Sequence, residues 1–217
     1  MRAEGEVNAE RASGAGVRLN LLLEETGQAP LDASGVGKFE DYLSLILRWS
    51  ARVNLTAVRD EEGILSRHFL ESIACARALP EGIRSLLDYG SGAGFPGLPI
   101  AVCRPEIAVT LAESQGKKAA FLREAVRTLG VAARVHGGRA ESLSESFDCI
   151  TMRAVDRMPE AVVSAAQHVG PSGWLALMTT SGDLAELQEA AGTGFTWRGP
   201  MPLPGSESRL LVLGRRR

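Results

Sequence analysis

The chain has 217 residues and a formal net charge of −2, from 24 Lys and Arg against 26 Asp and Glu. Hydrophobic residues make up 45% and charged residues 23%, which is the mix of a soluble globular chain and excludes a disordered, collagen-like or mucin-like one. The near-neutral balance also argues against a protein that coats nucleic acid wholesale, although a local basic patch is compatible with it.

Residues 1–16 are polar and rich in Ala, Gly and Glu; they are expected to form a mobile tail and lack the apolar run of a signal peptide. From Val17 to about Leu79 the pattern is helical. Phe39, Leu43, Ile46 and Leu47 recur at helical spacing, widened by Tyr42, Leu45 and Trp49, and Ile64, Leu65, Phe69, Ile73 and Ala76 repeat the period after an acidic start at Asp60. Residues 17–80 are therefore expected to form a helical N-terminal segment packed on a core formed by residues 81–217. No apolar run approaches the roughly 18 residues of a membrane span. Cys75, Cys103 and Cys149 are scattered, which fits neither a disulfide framework nor a zinc site. No metal and no membrane partner are expected, and the thiols suit a cytoplasmic protein.

After Pro80 short apolar runs alternate with helical stretches. Strands are expected at Ser85–Tyr89, Ile107–Glu113, Ala132–His136, Phe147–Met152, Trp174–Met178, Phe195–Met201 and Arg209–Leu213. Helices are expected at Gly97–Cys103, Lys117–Leu129, Pro159–Gln167 and Asp183–Ala191. Such alternation predicts an α/β fold with a mostly parallel, seven-stranded sheet covered on both faces. The turn-like Pro202–Ser208 leaves no room for a crossover helix, so the last strand is expected to return antiparallel.

The segment Asp88-Tyr89-Gly90-Ser91-Gly92-Ala93-Gly94-Phe95-Pro96-Gly97 follows the first strand and opens a helix. In an open α/β sheet a ligand binds at the carboxyl ends of the strands, where this loop lies. Gly90, Gly92 and Gly94 let the backbone pass close to a ligand. Gly92 to Gly97 also fits a dinucleotide-binding pattern. In the frame starting at Gly90, however, Phe95 occupies the third glycine position, where a side chain hinders close helix–strand approach. Asp88 would disfavour a diphosphate and suit a cationic ligand. S-adenosyl-L-methionine, with a sulfonium and an ammonium group, is preferred over NAD. Glu113, at the end of the second strand, is placed to accept ribose hydroxyls, with Ser114 beside it. Ala140 and Glu141 follow the third strand, where an adenine edge is read.

Asn54-Leu55-Thr56-Ala57-Val58-Arg59-Asp60, Arg67-His68-Phe69-Leu70-Glu71-Ser72, the glycine loop with its Pro96-Gly97 pair, Glu113-Ser114 with Gly116-Lys117, and Met152-Arg153-Ala154 occur in one consistent order. Together they resemble the guanine-N7 methyltransferases of bacterial small-subunit (16S) rRNA, also known as glucose-inhibited division protein B. The seven-strand plan is likewise similar to that of class I, Rossmann-like methyltransferases. The resemblance implies methyl transfer from S-adenosyl-L-methionine to a guanine N7, with cofactor contacts at Gly90, Phe95, Glu113, Ala140, Glu141 and Arg153. Four departures stand out. The family's Trp-Asn is Trp49-Ser50 here, its lysine after the fifth strand is Met178, its Arg-His before the last strand is Ser208-Arg209, and Glu71 and Glu113 replace the commoner aspartates.

Guanine N7 carries an in-plane lone pair and needs no general base, so positioning and exclusion of water are expected to carry catalysis. Arg153, after the fourth strand, is the expected catalytic residue, either stacking on the guanine or binding the methionine carboxylate. Expected RNA contacts are Arg59, Arg67, His68, Lys117, Lys118, Arg123 and Arg209. Cys149 lies in an apolar strand pattern and is expected to be core. The expected partner is 16S rRNA, in the small subunit or an assembly intermediate, met by a monomer. Two alternatives are an NAD-dependent oxidoreductase using the glycine loop and a non-catalytic RNA-binding or assembly protein on the same fold.

Overall fold

The computed structural model describes residues 14–217, so most of the expected tail lies outside the described residues. Ala15 and Gly16, expected in that tail, instead open helix α1 (Ala15–Glu25) and are buried. Helix α2 (Ala33–Ser50) begins where Asp32 accepts the Gly35 N–H at 2.7 Å, satisfying one of the amides that a helix start leaves unpaired. Asp60 caps the short turn Glu61–Gly63 in the same way. A π-helical segment, Ile64–Phe69, follows and runs directly into α3 (Leu70–Ala78).

The α/β part comprises β1 (Ser85–Tyr89), α4 (Gly97–Cys103), β2 (Ala108–Ala112), α5 (Gly116–Leu129), β3 (Ala133–His136), β4 (Phe147–Arg153), α6 (Met158–His168), β5 (Val169–Thr180), α7 (Leu184–Ala190), β6 (Phe195–Pro202) and β7 (Arg209–Arg216). Seven strands form one sheet in the order β3-β2-β1-β4-β5-β7-β6. The β1, β2, β3, β4 and β5 pairings are parallel, and β7 runs antiparallel between β5 and β6. The expected elements are present, with one notable difference at β5. It starts at Val169 rather than Trp174, because a register shift opposite Phe147 and Cys149 carries pairing through Gly170-Pro171-Ser172-Gly173. That run reads as a turn by composition, but a bulge lets it remain in the ladder.

Strand side chains alternate between two apolar layers, as the period of 2 requires. Leu86, Val109, Leu111 and Cys149 face a layer built with α1 to α5, whereas Leu87, Ile150, Leu175 and Leu177 face one built with α6 and α7. The N-terminal helices thus share one apolar layer with the sheet. Cys149 is fully buried, and burial pushes its pKa well above the ordinary thiol value, so it is an inert core thiol as expected.

Tyr42 links α2 to the glycine loop. It is fully buried, its hydroxyl donates to the Ala93 carbonyl at 2.5 Å, and its ring packs 5.4 Å from Phe95. The helical segment therefore sets the position of the loop from beneath.

Candidate active site

The glycine loop leaves β1 at the carboxyl edge of the sheet, and its shape is set mainly by Asp88. This side chain is 1% exposed. One oxygen accepts from Ser91 Oγ at 2.5 Å and Gly97 N at 3.1 Å, and the other accepts from Thr151 Oγ1 at 2.9 Å. Burial raises its pKa to about 6, against the lowering effect of these three donors. Asp88 is thus turned into the loop and away from the cavity, which corrects the expectation that it faces a cationic ligand. Gly94 is also inward: a Cβ there would lie 2.5 Å from Leu98 Cδ1 and 2.6 Å from the Tyr42 hydroxyl. Gly97 supplies the close helix–strand approach, since a Cβ would lie 2.4 Å from Leu111 Cδ2. The objection to a dinucleotide drawn from Phe95 therefore falls.

A different observation takes its place. Five of the loop amides that could cradle a diphosphate are already used within the protein. Ser91 N donates to Ala112 O, Gly94 N and Phe95 N donate to Ser91 O, Gly97 N donates to Asp88, and Gly92 N donates to Glu113 Oε2 at 3.0 Å. Glu113 is 7% exposed and receives Gln115 N on its other oxygen at 2.7 Å. A buried carboxylate behind the loop repels phosphate and favours a hydroxylated, cationic ligand.

Two connected cavities open over this edge. One, of about 240 Å³, is a recess lined by Gly90, Glu113, Ser114, Ala140, Glu141 and Val155, among others. The other, of about 860 Å³, shares Gly90, Glu113, Ser114 and Val155 with it and continues past Gly92 and Phe95 to Arg153, Met178 and Arg209. Gly92 sits at φ +58, and a Cβ there would meet only the Gly90 carbonyl oxygen, at 3.9 Å, so its free side is open. The recess suits the adenosine part of S-adenosyl-L-methionine: a carboxylate for hydroxyls at Glu113 and apolar Ala140 and Val155 for a flat ring. The donor set therefore fits this cofactor.

The loop after β4 crosses between the two cavities. Ala154 and Arg157 adopt φ of 50 and 47, a conformation that costs non-glycine residues energy and concentrates at functional sites. Val155 and Asp156 on this loop, and Met158 at the start of α6, line the cavity walls. They were not singled out in the sequence, where only their position just after a central strand pointed to them.

Opposite the glycine loop lies an ionic cluster. Glu71 is fully buried and accepts from Arg153 Nη2 at 2.9 Å and Arg209 Nε at 2.6 Å. Arg153 Nη2 also donates to the Arg67 carbonyl at 2.6 Å. Arg153 is therefore paired with Glu71 and not with its sequence neighbour Asp156.

The expected RNA contacts separate. Arg67, His68, Lys118 and Arg209 line the larger cavity, whereas Arg59, Lys117 and Arg123 are exposed and stand off its walls. His68 is not a phosphate-binding cation. Its ring stacks on Phe95 at 4.6 Å and its Nε2 lies 2.7 Å from Thr56 Oγ1. Burial, with the charges of Arg153 and Arg67, pushes its pKa down to about 3, so the ring is neutral.

Residues 36–195 match the family model described as rRNA small subunit methyltransferase G. The chain belongs to that family. A ribosomal RNA small subunit methyltransferase G from Roseiflexus sp. is 39% identical over 84% of this chain and 84% of its own. One from Xanthomonas axonopodis is 39% identical over 91% of this chain and 95% of its own, and one from Halorhodospira halophila is 41% identical over 75% and 79%. Among solved structures, a methyltransferase from Pyrococcus furiosus superposes with a TM-score of 0.59 at 14% identity, over 82% of this chain and 98% of that one. The mitomycin 7-O-methyltransferase does so at 0.58 and 17%, over 69% and 54%. These likenesses show the class I methyltransferase fold, whose sheet carries the inserted antiparallel β7 seen here. As a member of the methyltransferase G family the protein is an S-adenosyl-L-methionine-dependent methyltransferase, and the oxidoreductase alternative is set aside.

Proposed function

We propose that this protein methylates N7 of a guanine in 16S rRNA, using S-adenosyl-L-methionine, and acts as a monomer in the cytoplasm on the small subunit or an assembly intermediate. The observation that carries the reading is the paired cavity: an adenosine-sized recess walled by Glu113, Ala140 and Glu141 opens into a larger chamber walled by Arg153, Met178 and Arg209. Family membership supplies the substrate class.

Gly90, Gly92, Phe95, Glu113, Ser114, Ala140, Glu141 and Arg153 would hold the cofactor, which supplies an electrophilic methyl group on a sulfonium centre. Guanine N7 is unprotonated at neutral pH, so the chain has no proton to remove. Its tasks are to orient the base and to exclude water. The neutral His68 is consistent with this, because a ring with a pKa near 3 is a poor proton acceptor at pH 7. Arg153 has the polar reach to orient the base, and its guanidinium is anchored on Glu71 and the Arg67 carbonyl.

The test is transfer of labelled methyl from S-adenosyl-L-methionine to small subunits that lack the modification, followed by nuclease mapping and base analysis. Label recovered as N7-methylguanine at one position is the expected result. Label on another atom or base, or none, contradicts the reading.

A further inference from the structure

The cluster around Glu71 is short of one negative charge. Two guanidinium groups, of Arg153 and Arg209, meet one fully buried carboxylate. Among the described residues no other acid lies within ion-pair distance of either arginine. Asp183, on the same cavity wall, accepts from Thr180 Oγ1 at 2.6 Å instead. Two partly exposed guanidinium groups sharing one buried carboxylate leave a net positive charge facing the cavity, which an incoming anion would complete.

The two arginines are not equivalent. Arg153 has spent much of its donor capacity, with Nη2 on Glu71 and on the Arg67 carbonyl, and Nη1 at 3.5 Å from Ser72 Oγ. Arg209 donates only through Nε, so among the described residues both of its terminal amino groups are without a hydrogen-bond acceptor. Its side chain is 27% exposed and lines the larger cavity. A planar guanidinium locked at Nε, with both amino groups free, is pre-organised for the two oxygens of a phosphate or carboxylate.

Placement also separates the two arginines. Arg209 opens β7, paired with Thr180 at the end of β5. The order β1-β4-β5-β7 puts its backbone three strand spacings from the glycine loop, or about 14 Å at ~4.8 Å per strand, and its side chain reaches back to the carboxylate it shares with Arg153. Arg153, on β4, is one spacing away. Arg209 therefore approaches the cavity from the side away from the glycine loop and is the one of the two with both terminal amino groups free for an incoming anion.

We propose that Arg209, held in place by Glu71, is the receptor for a backbone phosphate of the RNA beside the target base. The inference rests on the RNA substrate proposed above. Binding of unmodified 16S rRNA made by transcription is measured against KCl concentration for the wild type, Arg209→Gln and Arg209→Lys, with S-adenosylhomocysteine affinity and methyl transfer to small subunits in parallel. The Gln variant is expected to lose roughly 0.7 to 0.9 from the slope of log affinity on log salt, the value of one phosphate contact. Lys keeps the slope, and S-adenosylhomocysteine affinity stays unchanged in both. An unchanged slope in the Gln variant overturns the proposal, as does weakened S-adenosylhomocysteine binding, which would assign Arg209 to the cofactor carboxylate. Should the Gln variant fail to fold, phenylglyoxal modification of wild-type Arg209 decides. Protection by the transcript and not by S-adenosylhomocysteine is expected, and equal modification with and without RNA refutes it. Methyl transfer by the wild type with an unchanged Gln slope refutes only the role of Arg209. Failure of wild-type transfer refutes the function above, while the binding slopes still decide Arg209.

Discussion

The two halves of the cavity are built by different means. The recess over β1, β2 and β3 is made largely of segments close in sequence, namely a glycine loop, an acid 21 residues after Gly92 and the turn after β3, with the loop after β4 closing one side. The chamber over β4, β5 and β7 is made of segments far apart, with Glu71 meeting Arg153 across 82 residues and Arg209 across 138. The first half is stabilised by backbone geometry and internal amide bonds. The second depends on ionic pairing between the N-terminal helices and the far strands. On the proposed reading, a cofactor common to many enzymes would be met mainly by the glycine loop and its neighbours, and a particular acceptor by long-range side chains.

The largest expected effect breaks the first half alone. Gly92→Val puts a branched side chain into open cavity space at φ +58. S-adenosylhomocysteine affinity, measured by calorimetry, is expected to fall by about 100-fold or more, equivalent to about 2.7 kcal/mol. Undiminished affinity would show that the recess is not where the cofactor sits.

A second effect sharpens the account of Asp88. Its folded-state pKa of about 6 lies above the ordinary aspartate value of 3.8. The folded protein therefore binds this proton more readily than the unfolded chain does. The stability it contributes is complete below about pH 4 and is lost as pH rises through 6. Asp88→Asn is expected to be less stable at low pH, because an amide nitrogen would oppose the Gly97 N–H or a hydroxyl. It should also lack that loss of about 1–3 kcal/mol between pH 4 and 7. Urea denaturation across this range checks it, and parallel pH profiles for the two proteins would contradict it.

The smallest effect probes the link between the halves. Tyr42→Phe removes the buried hydroxyl that donates to Ala93, at an expected cost of about 1–2 kcal/mol. Calorimetric melting reads this as a lower Tm with modest change in cofactor affinity. A large loss of affinity without a change in Tm would instead make Tyr42 a ligand contact.

The same division explains what could be read from the sequence. Most of the strands and helices after Pro80 were legible, because apolar runs bounded by Gly, Pro and acids leave few alternatives. The glycine loop and Glu113 were legible because their spacing is local. The inward turn of Asp88 was not, since one of its partners, Thr151, lies 63 residues away. Nor was the π-helical Ile64–Phe69, whose apolar spacing serves an α-helix equally well. His68 looked like an RNA contact by residue type, and only the fold shows it stacked on Phe95 in the wall, where burial and the charges of Arg153 and Arg67 keep its ring neutral. The Glu71 cluster was hidden because no sequence period relates its members.

A crystal structure with S-adenosylhomocysteine bound tests the division of the cavity most directly. The account predicts the adenosine in the recess between Ala140 and Val155, its ribose on Glu113, and the wall formed by Met178 and Arg209 left open for the acceptor. Density for the ligand along that wall, with the recess beside Glu113 empty, would contradict it.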